Sequence, residues 1–180
     1  MIEEDRNISI VQGEDGKRIV LIHDILFYGR RNIKWDDVEE YLKRYVGKHF
    51  EILDDSEKIY IGSDLPSEYK GSNDTRRLKG PNAKAKANSV QGIPELIEIA
   101  SNKRYKDNKK DKHSMDAKYG WYRYDTRIGI PVSEGSKIVR YNIYRVELMV
   151  RHSANKKKYL YDLVNIKKEA EYPALTEVVR

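Results

Sequence analysis

Tyr119-Gly-Trp-Tyr-Arg-Tyr-Asp-Thr-Arg-Ile-Gly-Ile130 reads as a β-strand with two unlike faces. Side chains of a strand alternate between its two faces. One parity here collects Trp121, Arg123, Asp125 and Arg127; the other collects Tyr122, Tyr124, Ile128 and Ile130. The same alternation returns downstream, where Tyr144, Val146, Leu148 and Val150 share one face. Arg145, Glu147, Met149 and Arg151 share the other. A third stretch, Tyr159 to Ile166, is mostly apolar on both parities and is expected to be more central. Three such runs predict an antiparallel sheet with one apolar and one charged face. A wet face lined by Arg and Trp is what a phosphate backbone or a stacked base requires. A solvated face of paired charges has the same composition.

Ile8–Val11 and Arg18–Ile22 flank Gly13-Glu-Asp-Gly16 and predict a hairpin. Gly29-Arg-Arg31 reads as a basic loop. Trp35, Val38, Tyr41, Leu42, Tyr45 and Val46 repeat at helical spacing, with Asp36 and Asp37 in the first turn and Gly47 beyond the last. Phe50–Leu53 and Lys58–Ile61 predict a second short hairpin. Residues 62–80 read as a long loop. Pro81 opens a helix through Lys84 and Lys86, Gly92-Ile-Pro94 breaks it, and a second helix runs from Glu95 to Ser101. Residues 102–118 hold seven Lys/Arg and few apolar residues, and read as a flexible basic loop. No period continues past Glu169.

The expected fold class is therefore α+β. An N-terminal β-hairpin and helix precede further helices and a curved antiparallel sheet with a basic face. Two regions are expected, an acidic hairpin/helix subdomain over 1–62 and a basic helix-plus-sheet domain over 63–180, forming one compact unit.

Charge is unevenly spread. Residues 1–69 carry 10 Lys/Arg against 16 Asp/Glu, residues 70–118 carry 13 against 6, and residues 119–180 carry 12 against 7, for a net +6. The basic rear predicts a polyanionic partner. The residues expected to contact nucleic acid are Trp121, Arg123, Arg127, Arg145, Arg151, Lys84, Lys86, Lys112 and Lys118. There is no cysteine, which excludes disulfides, thiol catalysis and Cys-built zinc sites. His23, His49, His113 and His152 show no metal-ligand spacing, and no Gly-rich phosphate loop or nucleophile elbow is present. No metal or cofactor is expected. No apolar run approaches a membrane span and no signal peptide opens the chain, so no membrane partner and a cytoplasmic location in a bacterial host are expected.

The pattern Lys112-His113, Gly120-Trp-Tyr-Arg-Tyr124, Met149-Val-Arg151, Tyr159-Leu-Tyr-Asp162 and Ile166-Lys-Lys-Glu169 resembles the barnase–EndoU–colicin–RelE-like domains of phages and mobile elements. The resemblance covers roughly residues 81–169. It implies one or two helices followed by a curved antiparallel sheet. The whole chain, including Gly29-Arg-Arg-Asn-Ile-Lys-Trp35 and Lys84-Ala-Lys-Ala-Asn88, also resembles small proteins of clostridial phages and plasmids, some of them anti-CRISPR inhibitors of Cas9-type nucleases. The expected function is then a phage or mobile-element accessory protein that binds nucleic acid or a nucleic-acid-handling effector such as a CRISPR nuclease. One alternative is a metal-independent endoribonuclease of toxin type, with His113, His152 and Glu147 as acid and base groups. The other is a phage structural protein.

Overall fold

The computed structural model describes residues 7–29 and 32–174. The chain runs through β1 (Ile8–Gln12), β2 (Arg18–Ile22), α1 (Trp35–Leu42), β3 (His49–Glu51), β4 (Lys58–Tyr60) and α2 (Leu65–Gly71). It continues through α3 (Asn73–Arg77), α4 (Gly80–Ser89), α5 (Ile93–Glu98) and β5 (Ser101–Lys106). Three long strands close it: β6 (Trp121–Glu134), β7 (Lys137–His152) and β8 (Lys158–Pro173). The fold is α+β, built on a strongly curled open sheet.

The long strands form the antiparallel meander that the alternation predicts. Tyr124, Thr126, Ile128 and Ile130 of β6 are buried, as are Tyr144, Val146, Leu148 and Val150 of β7. Beneath them lie Val38 and Leu42 of α1, Ala85 and Ala87 of α4, and Leu96 and Ile97 of α5. Burying that apolar surface is the main stabilising term. Strand β8 departs from strict alternation because its register against β7 shifts at Met149/Val150 and again at two places between Ile143 and Glu147. Such bulges turn successive side chains out of phase and bend the strand. They explain why both parities of Tyr159–Ile166 look apolar.

The two N-terminal hairpins dock on opposite edges of this meander. Strand β2 joins β6 in parallel through Val20↔Ile128 and Leu21↔Gly129. Strand β4 joins β8 in parallel through Ile59↔Lys158 and Tyr60↔Tyr159. Gly129 is needed at the first junction, because a Cβ there would collide with the Leu21 side chain. Strands from residues 1–62 and from 63–180 thus belong to one eight-stranded sheet.

Five expectations need correction. Residues 62–80 are not a loop: they hold α2 and α3, with Pro66 in the first turn of α2 and the Ser72 hydroxyl accepting from Thr75 N at 3.2 Å to cap α3. Residues 101–106 are not a flexible segment: they form β5, paired antiparallel to β6 through Arg104↔Arg123, Tyr105↔Tyr122 and Lys106↔Trp121. Strand β8 runs on past Glu169 to Pro173. The first helix ends earlier than expected, at Leu42, and tightens into a 3-10 turn over Lys43–Tyr45. Likewise α5 spans Ile93–Glu98, not Glu95–Ser101. Arg30 and Arg31 of the expected basic loop lie outside the described residues.

A buried ionic knot ties α2, α3 and α4 to β8. The Lys86 side chain is 0% exposed, and its Nζ lies 2.9 Å from Asp74 Oδ2 and 3.0 Å from Asp162 Oδ1. The Tyr69 hydroxyl donates to the Lys86 carbonyl, and Thr75 Oγ1 donates to the Tyr69 carbonyl at 2.6 Å. Burial pushes the Asp162 carboxyl up to about 6, with Lys86 opposing the rise. A carboxyl whose folded pKa is raised holds a proton that the unfolded chain has already released. Its stabilising contribution is complete below the unfolded value of 3.8 and is lost as pH rises through about 6. Between pH 7 and pH 5 the parent protein is therefore expected to gain about 1 kcal/mol relative to Asp162→Asn. Urea unfolding of both proteins at the two pH values checks this; a difference that does not change with pH contradicts it.

Candidate nucleic-acid interface

The arginines of the sheet sit where the alternation places them, but all the expected ones except Arg145 are already engaged. Arg123 Nη1 donates to Glu147 Oε1 at 2.7 Å. Arg127 Nη2 donates to both Asp15 oxygens at 2.8 and 3.0 Å, and its Nη1 reaches Glu169 Oε1 at 3.4 Å. Arg151 donates from Nε and Nη2 to Asp64 at 3.2 and 3.1 Å and from Nη1 to the Asp116 carbonyl, with its guanidinium 4.2 Å from the Tyr159 ring centroid. The side chains of Arg127 and Arg151 are only 13% and 10% exposed. Arg104 pairs with Asp125 at 2.9 Å. Arg145 is exposed and makes no ion pair with another described residue.

These pairs explain the acidic front. Asp15 and Asp64 hold arginines of β6 and β7, while Glu57 holds Lys158 at 2.8 Å and Lys103 at 3.4 Å. The Lys158 ammonium keeps the Glu57 carboxyl below its ordinary value. Part of the negative charge before residue 70 thus neutralises the basic rear of the same molecule.

Six of the residues expected at the interface are partly or wholly covered, or already engaged. Lys86 is sealed inside the ionic knot, and a helix places residues two apart on different faces, so Lys84 and Lys86 cannot act together. Arg123, Arg127 and Arg151 are engaged by carboxylates and would have to give them up to take a phosphate. Trp121 is half-buried, packed edge-on against His113 and Tyr161 at centroid distances of 5.1 Å each, with its Nε1 donating to Asn108. Lys84 is half-buried on α4.

Free positive charge collects elsewhere, at the end of the sheet where β6 begins and β7 turns into β8. Lys106, Lys109, Lys110, Lys112 and Lys118 come from the segment that leads into β6, and Lys156 and Lys157 from the β7–β8 turn. All seven are exposed, and none pairs with a described carboxylate. Backbone hydrogen bonds lock the two segments together: Ala154 N to Met115 O at 2.8 Å, Tyr119 N to His152 O at 3.0 Å, and His152 N to Gly120 O at 2.9 Å. The Asn108 side chain donates to the His113 carbonyl at 2.9 Å, and Asp111–His113 forms a 3-10 turn. Of the acids in this region, Asp116 accepts from or pairs with His113 and Asp107 accepts the Tyr105 hydroxyl. Lys112 and Lys118 stand among the main contacts expected from the sequence, and Lys106, Lys109 and Lys110 as lesser contributors. The signals were the lysine density of 103–118 and the Lys156-Lys-Lys158 run, whose proximity only the fold reveals.

The three candidate acid/base groups do not converge. His113 bonds Asp116 through Nδ1 at 3.0 Å and lies on the Trp121 face. His152 lies on the opposite face, with Tyr119 and Tyr122, and its Nε2 is 3.1 Å from the Lys156 carbonyl. Glu147 is taken by Arg123 and by Asn165. Surface clefts of about 420, 630 and 360 Å³ are lined by none of them.

Among the described residues, no helix is long and apolar enough to cross a membrane. No protein-family model, curated protein or solved structure matches this chain. The resemblance to barnase–EndoU–colicin–RelE-like domains therefore rests on the sequence pattern alone.

Proposed function

We propose that this protein binds nucleic acid, and that the contact surface is the lysine-rich end of the sheet. The observation that carries this reading is the contrast within one basic protein. The guanidiniums of Arg123, Arg127 and Arg151 are neutralised by built-in carboxylates, while seven lysines on two hydrogen-bonded segments pair with no described carboxylate. Unpaired, exposed ammonium groups held on a fixed frame attract a polyanion without first having to break an internal pair. The same surface would serve an accessory protein that engages a nucleic-acid-handling effector through the nucleic acid it carries. Binding without cutting is the simpler chemistry, because His113, His152 and Glu147 point into three different environments.

Fluorescence anisotropy with labelled oligonucleotides in EDTA tests this. Contact of about five phosphates predicts a log–log salt slope near −4, so affinity should fall about 250-fold between roughly 50 and 200 mM salt. Absence of binding at the lower salt, or binding indifferent to salt, overturns the proposal. Cleavage of RNA in EDTA, abolished by His113→Ala, would install the ribonuclease reading instead.

A further inference from the structure

Resting on that reading, we infer that the lysine-rich end takes single-stranded nucleic acid, with Tyr105 and Tyr119 as the stacking surfaces. Four rings form a continuous strip there. Tyr105 contacts Tyr122 at a centroid distance of 5.2 Å, Tyr122 contacts His152 at 6.0 Å, and His152 contacts Tyr119 at 5.1 Å. The strip is open at its two ends: Tyr105 is 54% exposed and Tyr119 is 37% exposed, while Tyr122 and His152 are half-buried between them. An exposed tyrosine on a charged surface is ordinary by itself. Two, joined through half-buried rings and set in a lysine-rich segment with the Lys118 ammonium beside one of them, make a platform.

The platform is fixed in place. Gly120 has φ +98, and a Cβ there would lie 2.6 Å from Tyr105 ring atoms, so glycine is what lets this ring rest on the backbone. The Tyr105 hydroxyl is anchored on Asp107 Oδ1 at 2.7 Å. The Lys118 ammonium lies 5.6 Å from the Tyr119 ring centroid, and Lys103 and Lys158 lie 4.9 and 4.4 Å from that of Tyr122. Anchored rings lose little freedom when a base is laid on them. Aromatic faces beside a row of cations are the combination by which proteins hold unpaired strands, the cations following the phosphates and the rings taking the bases. A duplex keeps its base faces inside its own stack and can use only the lysines.

The test compares labelled oligothymidylate and oligouridylate with a duplex of matching length at about 100 mM salt. Single strands of either sugar are expected to bind at least about tenfold more tightly than the duplex. Tyr105→Leu and Tyr119→Leu should each weaken single-strand binding about 5- to 100-fold and leave duplex binding unchanged, while Tyr105→Phe and Tyr119→Phe keep it. Circular dichroism establishes that the leucine variants are folded, and the strand preference of the parent protein decides the matter if one is not. Equal binding of duplex and single strand overturns the stacking inference while leaving polyanion binding intact; so do leucine variants that bind single strands normally. Failure to bind any oligonucleotide at low salt overturns both readings.

Discussion

Replacing Lys86 by methionine is expected to lower the free energy of unfolding by about 3–5 kcal/mol. The substitution nearly preserves volume, so packing loss is not the main cause. It leaves Asp162, 2% exposed, without the ammonium that faces it at 3.0 Å. A buried carboxylate stripped of its cation must either take up a proton or remain charged in a poor solvent, and both are costly. The double variant Lys86→Met, Asp162→Leu removes both buried charges and should recover much of the loss, because an apolar pair often replaces a buried ion pair at little cost. Urea denaturation of the single and double variants gives the coupling directly. A single variant within about 1 kcal/mol of the parent would contradict the buried-knot account.

The second large effect concerns binding. Changing Lys109, Lys110, Lys112, Lys156 and Lys157 together to glutamine should reduce oligonucleotide affinity by about two to three orders of magnitude at roughly 100 mM salt. The salt slope should flatten by nearly one unit for each phosphate contact removed. All five side chains are exposed, so the fold should be little affected. The matched control is Arg123→Gln with Arg127→Gln, which releases Glu147 and Asp15. It should leave the salt slope unchanged. A control variant that loses binding while the lysine variant keeps it would return the interface to the sheet face.

What could be read from sequence follows the range of the interactions. The strands β6 and β7 were legible because alternation is local: Tyr144, Val146, Leu148 and Val150 announce a buried face within eight residues. Helix α1 was legible for the same reason. Strand β5 was not, because Ser101-Asn-Lys-Arg-Tyr-Lys106 has no apolar parity; it is an edge strand held by backbone pairing to β6, and charged side chains are what edge strands carry. The interface was misplaced for a non-local reason. Asp15, Glu57 and Asp64 are far in sequence from Arg127, Lys158 and Arg151, so the neutralisation of the sheet arginines is a property of the fold. Lys86 illustrates the same point: in Ala83-Lys-Ala-Lys-Ala87 the two lysines look alike, and only the positions of Asp74 and Asp162 decide that the second is buried.

Nucleic acid is expected to touch the protein at the lysine-rich end of the sheet. Titrating isotope-labelled protein with a short oligonucleotide, and following backbone amide shifts by NMR, locates the contact without any mutation. The largest shifts are predicted at residues 105–120 and 152–158. Shifts concentrated at Arg123–Arg127 and Arg145–Met149, with the lysine-rich end unmoved, would contradict it.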